Sequence, residues 1–258
     1  MPSKILAIGD IVGQPGRRVV KVFLESLREN HQPDLVIANA ENAAGGYGLT
    51  PTIADELLGY GIDVLTSGNH IWTHKEIIPY MGGSLPLIRP LNYPPGVAGR
   101  GYLVKGNFVV VNLIGRVFLG EFDCPFRAVD ELFENMGSKG LMIIIDFHAE
   151  ATSEKMAMGY YLDGRVGAVL GTHTHVATAD NRVLPRGTAY ITDLGMSGVR
   201  DSVIGDDTQA ALDRFLTATP GRLPVARGRA MLNGALITLD EKTGLALGIE
   251  RVYREEDE

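Results

Sequence analysis

Five short apolar runs in this 258-residue chain end alike, on polar residues that carry donor atoms. Lys4 to Ile8 leads to Asp10, Leu35 to Ala38 to Glu41-Asn42, and Asp63 to Thr66 to Asn69-His70. Leu141 to Phe147, apolar but for Asp146, leads to His148, and Val166 to Leu170 leads to His173 and His175. Runs of this length and composition read as buried strands. Helical patterns separate them. Arg17 to Glu29 sets Val19, Val20, Phe23, Leu24 and Leu27 on one face. Thr50-Pro51 reads as an N-cap and first-turn proline, Thr73 and Glu76 have capping-box spacing, and Ser153 is placed to cap a helix ending at Leu162. Ala128 to Met136 is also helical in pattern. Alternating strands and helices constrain the chain to an α/β architecture, whose strands deliver ligand-binding residues to one sheet edge.

The five clusters are therefore expected together. Singly, each has an ordinary structural reading: Asp10 as a helix cap, Glu41-Asn42 and Asn69-His70 as turns, His148 as a hydrogen-bonded core histidine, His173 and His175 as turn residues. Together they hold two carboxylates, two amides and four imidazoles. That exceeds the three or four protein ligands of one zinc ion. It matches two ions about 3.5–4 Å apart that share a carboxylate. His31 and His74 follow no strand and are read as surface residues. The glycines between Gly9 and Gly16 fit neither the dinucleotide fingerprint nor the phosphate-binding P-loop.

The rest of the chain completes one domain, residues 1–258, without repeat or linker. Pro86 to Gly101 reads as irregular, and Tyr102–Val104 with Phe108–Leu113 as a hairpin about Lys105-Gly106-Asn107. Ala189–Thr192, Ala230–Leu239 and Leu245–Tyr253 read as strands and Thr208–Leu216 as a helix, which together suggest a two-layered sheet core flanked by helices. The formal net charge of -7 argues against stable duplex nucleic-acid binding and membrane-surface binding. No stretch has the length of a membrane span, and the opening residues do not pattern as a signal peptide. The single cysteine, Cys124, read as a packing residue, fits a reducing compartment, so a cytoplasmic location is expected.

The order Gly9-Asp10, Glu41-Asn42, Gly68-Asn69-His70, His148, then Thr172-His173-Thr174-His175 resembles the calcineurin-like metallophosphoesterases across the whole chain. The stretches Asp146 to Lys155 and Thr192 to Gly198 are similar to the bacterial YmdB-like branch of that superfamily. The resemblance implies a four-layer α/β sandwich, with two facing mixed β-sheets and helices outside. It implies a metal-dependent phosphoric diester hydrolase acting on 2′,3′-cyclic nucleotides, by attack of a metal-activated hydroxide on phosphorus. A phosphomonoesterase or protein phosphatase with the same centre is the enzymatic alternative, and a weakly catalytic metal-binding regulator the other. The implied ligands are Asp10, Glu41, Asn42 and His175 for one metal and Glu41, Asn69, His148 and His173 for the second, with His70 as the catalytic acid. Val12, Glu41 and Ile71 depart from the wider superfamily, and Asn42 takes the coordination left by Val12. A neutral amide oxygen in place of imidazole tilts that site toward iron or manganese. The resemblance is compatible with a homo-oligomer, although the sequence carries no oligomerisation signature.

Overall fold

The structure, a computed structural model, describes residues 2–136 and 140–257. The first half of the chain runs β1 (Ser3–Ile8), β2 (Asp10–Ile11), α1 (Gly13–His31), β3 (Leu35–Asn39), α2 (Pro51–Gly59), β4 (Val64–Thr66), a 3₁₀ helix (Lys75–Tyr80), β5 (Tyr102–Lys105) and β6 (Phe108–Ile114). The second half runs α3 (Pro125–Met136), β7 (Met142–His148), α4 (Thr152–Leu162), β8 (Ala168–Thr172), β9 (Arg182–Val183), β10 (Ala189–Ile191), β11 (Met196–Val199), α5 (Thr208–Thr217), β12 (Ala230–Leu239) and β13 (Ala246–Glu255).

Two mixed sheets result. The first has the order β2-β11-β12-β1-β3-β4 with β13 also paired to β12, and the second β5-β6-β7-β8-β10-β9. Side-chain alternation assigns the layers. On β1, Ile5 and Ala7 face the second sheet and pack with Val110, Ile144, Leu170 and Ile191. Leu6 and Ile8 face the other way, onto Val19, Val20, Leu24 and Leu27 of α1 and Leu57 of α2. The outer face of the second sheet, Val111, Ile143 and Ile145 among it, packs on Val129 of α3 and Met158 and Leu162 of α4. The order is helix, sheet, sheet, helix, the four-layer sandwich expected.

Several local expectations change. Helix α1 begins at Gly13 rather than Arg17, because Pro15 is tolerated in a first turn whose N–H groups need no intrahelical acceptor. Thr50 does cap α2, its hydroxyl accepting from Ile53 N at 3.3 Å. Thr73 is not at the cap position; the segment forms a 3₁₀ helix entered through His74 and containing Pro79. Ser153 lies inside α4, whose N-cap position is Ala151. Neighbouring Glu154 instead turns inward and accepts from Arg116 N at 3.0 Å and Val117 N at 3.2 Å. Strand β8 runs two residues later than its apolar run, so His173 follows it directly. The short β2, β9 and β11 lack an apolar run that would mark them.

Parallel pairing sets the strand ends level. Ile8 pairs with Ala38, Asn39 with Thr66, and His148 with Thr172. The two sheets meet at this edge through polar side chains: Asn39 Nδ2 donates to Asp146 Oδ2 at 3.3 Å, and the Thr66 hydroxyl donates to the same oxygen.

Candidate metal centre

All eight residues singled out in the sequence converge on this edge. Three of the imidazoles have an outer nitrogen whose proton is fixed from outside. Thr172 Oγ1 donates its one hydrogen to Asp146 Oδ1 at 2.7 Å, so at 3.0 Å it accepts from His148 Nδ1. His175 Nδ1 lies 2.7 Å from the carbonyl oxygen of Ile204, which can only accept. His173 Nε2 lies 3.0 Å from Glu150 Oε2. A neutral ring held in this way turns its lone pair inward, the tautomer that a metal ligand needs.

The inward atoms crowd together. His148 Nε2 has Glu41 Oε1, Asn69 Oδ1 and His173 Nδ1 each at 3.0 Å. One ring nitrogen cannot satisfy three partners, whereas atoms so spaced suit ligands around one ion. Glu41, His148 and His173 each offer a ligand atom within 4.8 Å of the others. On the other side of Glu41, Oε1 lies 3.2 Å from Asn42 Nδ2, which is itself 3.1 Å from His175 Nε2. His175 Nε2 lies 3.8 Å from Asp10 Oδ1. Asp10 Oδ2 accepts from His173 N at 3.1 Å, but Oδ1 is buried with no hydrogen-bond partner among the described residues. An orphaned carboxylate oxygen beside an imidazole lone pair suits a cation.

Charge in the cluster tells the same story. Burial lifts the Asp10 carboxyl to about 6, against the opposing pull of His175 and His148. Burial also works against the Glu41 carboxylate, yet His148 and the His70 backbone hold it near 2. Burial disfavours charge on His148, but Glu41 and Asp10 push it up to about 9, the response of an imidazole set among carboxylates that favour positive charge. Burial and that neighbour push His173 down to about 3.

Backbone geometry serves the same convergence. His173 has φ 99° and His175 φ 67°, unusual for residues with a Cβ. Thr174 between them is held by Asp193 Oδ2, which accepts from its N–H at 3.1 Å and its hydroxyl at 2.7 Å. Asp193 is in turn paired with buried Lys155 at 2.7 Å. Gly68 must lack a Cβ, which would lie 2.3 Å from the His148 ring and 2.4 Å from Glu41 Oε2.

Asn42 and His70 form a linked pair at the edge. His70 Nδ1 lies 2.8 Å from Asn42 Oδ1, and its backbone N–H donates to Glu41 Oε2 at 3.1 Å. The Asn42 atom facing Glu41 and His175 is therefore Nδ2; a half-turn of the amide would present the oxygen there. Ile71 is fully buried in the first-sheet core. His74 is not a plain surface residue: its Nε2 donates to Tyr47 O at 3.0 Å. The supporting residues Thr172, Glu150, Asp193 and the Ile204 carbonyl escape sequence reasoning. Asp146 is partly visible as the one polar residue in an apolar strand.

The cluster opens into a cleft of about 430 Å³ whose walls include Tyr47, His70, Ile204, Asp206, Arg214 and Phe215. A second hollow of about 490 Å³ shares no lining residue with it; Cys124 is half-buried on that wall rather than in the core.

A family model described as "YmdB-like protein" matches residues 6–252. The chain belongs to the YmdB-like family. Among YmdB-like relatives, a Bacillus subtilis protein named 2′,3′-cyclic-nucleotide 2′-phosphodiesterase is 48% identical over 98% of each chain. A Thermus thermophilus protein described as hypothetical has a TM-score of 0.92 and 43% identity, covering 98% of this chain and 100% of that one. A Mycoplasma pneumoniae structure described as a novel phosphatase has a TM-score of 0.93 and 34% identity, covering 100% of this chain and 95% of that one.

Proposed function

We propose that this YmdB-like chain is a metal-dependent phosphodiesterase that opens 2′,3′-cyclic nucleotides. The observation that carries the proposal is the convergence of donors on both sides of Glu41 Oε1, at the mouth of a nucleotide-sized cleft. The name of the Bacillus relative supports the substrate class.

Asp10, Glu41, Asn42 and His175 would hold one metal, and Glu41, Asn69, His148 and His173 the second, with Glu41 shared. When bound, two such ions supply positive charge for the phosphoryl oxygens and lower the pKa of water toward neutrality. The Asn42 amide oxygen and the carboxylates favour iron or manganese. We place the protein in the cytoplasm, as its single cysteine suggests; among the described residues no helix is long and apolar enough to cross a membrane.

His70 acts on the leaving group. Its Nε2 has no hydrogen-bond partner among the described residues, and its ring lines the cleft. Burial holds the ring below the usual histidine range, against the pull of Glu41. Were the Asn42 amide to turn over so that its oxygen could serve as a ligand, its Nδ2 would donate to His70 Nδ1 and leave the remaining ring proton on Nε2. Water's oxygen bonds to phosphorus and the P–O2′ bond breaks, while the His70 Nε2–H shares its proton with O2′ as negative charge builds there. The proton given up by water reaches O2′ through solvent, so the imidazole ends neutral, and the product is a 3′-nucleotide.

Turnover by protein reloaded with manganese or iron tests the reading. A 2′,3′-cyclic nucleotide should be hydrolysed to the 3′-nucleotide, in preference to a phosphomonoester. Preference for the monoester would replace the assignment with a phosphatase. Binding of both metals without turnover of either would favour a regulator.

A further inference from the structure

Beyond the metal ligands, the cleft carries a set of side chains with no structural employment. Asp206 is half-buried on its wall, and among the described residues its carboxylate makes neither hydrogen bond nor ion pair. Asp207 beside it does have work: its carboxylate caps α5 by accepting from Ala210 N at 3.0 Å. Asp206 is nonetheless held firmly. Its backbone exchanges hydrogen bonds with Val203 at 3.0 and 3.1 Å, across a turn whose Ile204 has φ 51°. Arg214, on α5, lines the same cleft, and its guanidinium also lacks a partner among the described residues. Next to it Phe215 is 79% exposed, a large apolar cost for a side chain on a cleft wall. Tyr47 is already occupied, with the His70 ring at 5.1 Å and the Arg222 guanidinium at 5.3 Å, so Phe215 is the aromatic left open. The charges act on one another: burial raises the Asp206 carboxyl, and His175 and Arg214 oppose the rise.

We propose that this wall reads the base of the nucleotide and is built for guanine: Asp206 accepts from N1–H and N2–H, Arg214 donates to O6 and N7, and Phe215 covers one ring face. The proposal rests on the cyclic-nucleotide reading above. Guanine alone offers two adjacent donors to a carboxylate. Adenine N1 and cytosine N3 would turn a lone pair toward it, and uracil's single N3–H lies between two carbonyl oxygens. The next atoms round the guanine edge, O6 and N7, are the pair that arginine commonly engages. Asp206 and Arg214 are thus complementary to neighbouring stretches of one base edge. Aromatic stacking accepts every base, so Phe215 contributes affinity rather than choice.

The test compares kcat/KM for the four 2′,3′-cyclic nucleotides on metal-reloaded protein. Wild type should favour guanosine over cytidine by about tenfold or more, and Asp206→Asn should cut that ratio by about fivefold or more. Phe215→Ala, at an exposed position that should not disturb folding, should lower kcat/KM for all four by about fivefold or more, chiefly through KM. Equal use of the four bases by wild type, or an unchanged ratio in Asp206→Asn, would overturn the proposal. So would a Phe215→Ala variant that changes only the oligomeric state, since that residue would then serve a protein contact. If no cyclic nucleotide is hydrolysed, the functional reading fails separately. Calorimetry with guanosine and cytidine 3′-monophosphates then decides the base question: tighter guanosine binding, lost in Asp206→Asn, supports it, and equal binding overturns it.

Discussion

Glu150 Oε2 lies 3.0 Å from His173 Nε2, and the Ile204 carbonyl 2.7 Å from His175 Nδ1, so two neighbouring imidazoles take their orientation from unrelated parts of the chain. The consequence for Glu150 is measurable. Glu150→Ala should weaken metal affinity or turnover by about 10–100-fold, the usual cost of losing such a partner, and titration of the metal-free protein would show it. An unchanged affinity and rate would leave Glu150 an exposed acid of no consequence. His70 should behave differently. His70→Ala is expected to keep its metals and lose about 10²–10⁴-fold in cyclic-diester turnover. An activated aryl phosphodiester, which needs little proton donation, should lose much less. Equal losses on both substrates would reject the acid role, and loss of metal would make His70 a ligand. The convergence of the eight residues was legible because each stands at or near the end of an apolar run. Their supports were not: a backbone carbonyl such as that of Ile204 has no sequence signature, and Glu150 is one exposed acid among many.

At the scale of elements, the loop from His173 to His175 is strained, with positive φ at both histidines. Its restraint is the buried pair Lys155–Asp193, with side chains 1% and 0% exposed. Removing one member of such a pair costs about 3–5 kcal/mol, because the other charge is left buried alone. Lys155→Met should therefore lower the denaturant midpoint by a corresponding amount and loosen the loop, so that metal affinity falls with stability. A midpoint within error of wild type would show that the Thr174 and Gly195 donors suffice to hold Asp193. Sequence reasoning found Thr50 as a cap but misread Thr73 and Ser153. Caps depend on where a helix actually starts: α4 begins two residues early, at Thr152 with Ala151 as its N-cap, and the segment after His74 tightens to a 3₁₀ turn containing Pro79. Strands β2 and β11 are short and polar or glycine-bearing, and are held by long-range pairing, Met196 beside Asp10 and Gly198 opposite Met231 of β12.

Across the whole molecule, the layer order was legible in outline, since strands of the first half alternate with amphipathic helices. The membership of each sheet was not. Strand β12, from the C-terminal region, lies antiparallel between β1 and β11, and only long-range pairing decides that. The same pairing brings Asp10, Glu41 and Asn69 from one sheet to face His148, His173 and His175 from the other. The central claim is that this facing edge holds two ions joined through Glu41. Elemental analysis of protein stripped with chelator and reloaded with manganese or iron tests it most directly. Wild type should bind about two ions per chain. Glu41→Gln, which keeps the shape but removes the shared charge, should bind neither ion tightly. A wild-type value of one or none, or a Glu41→Gln variant that still holds two ions and full activity, would contradict the account.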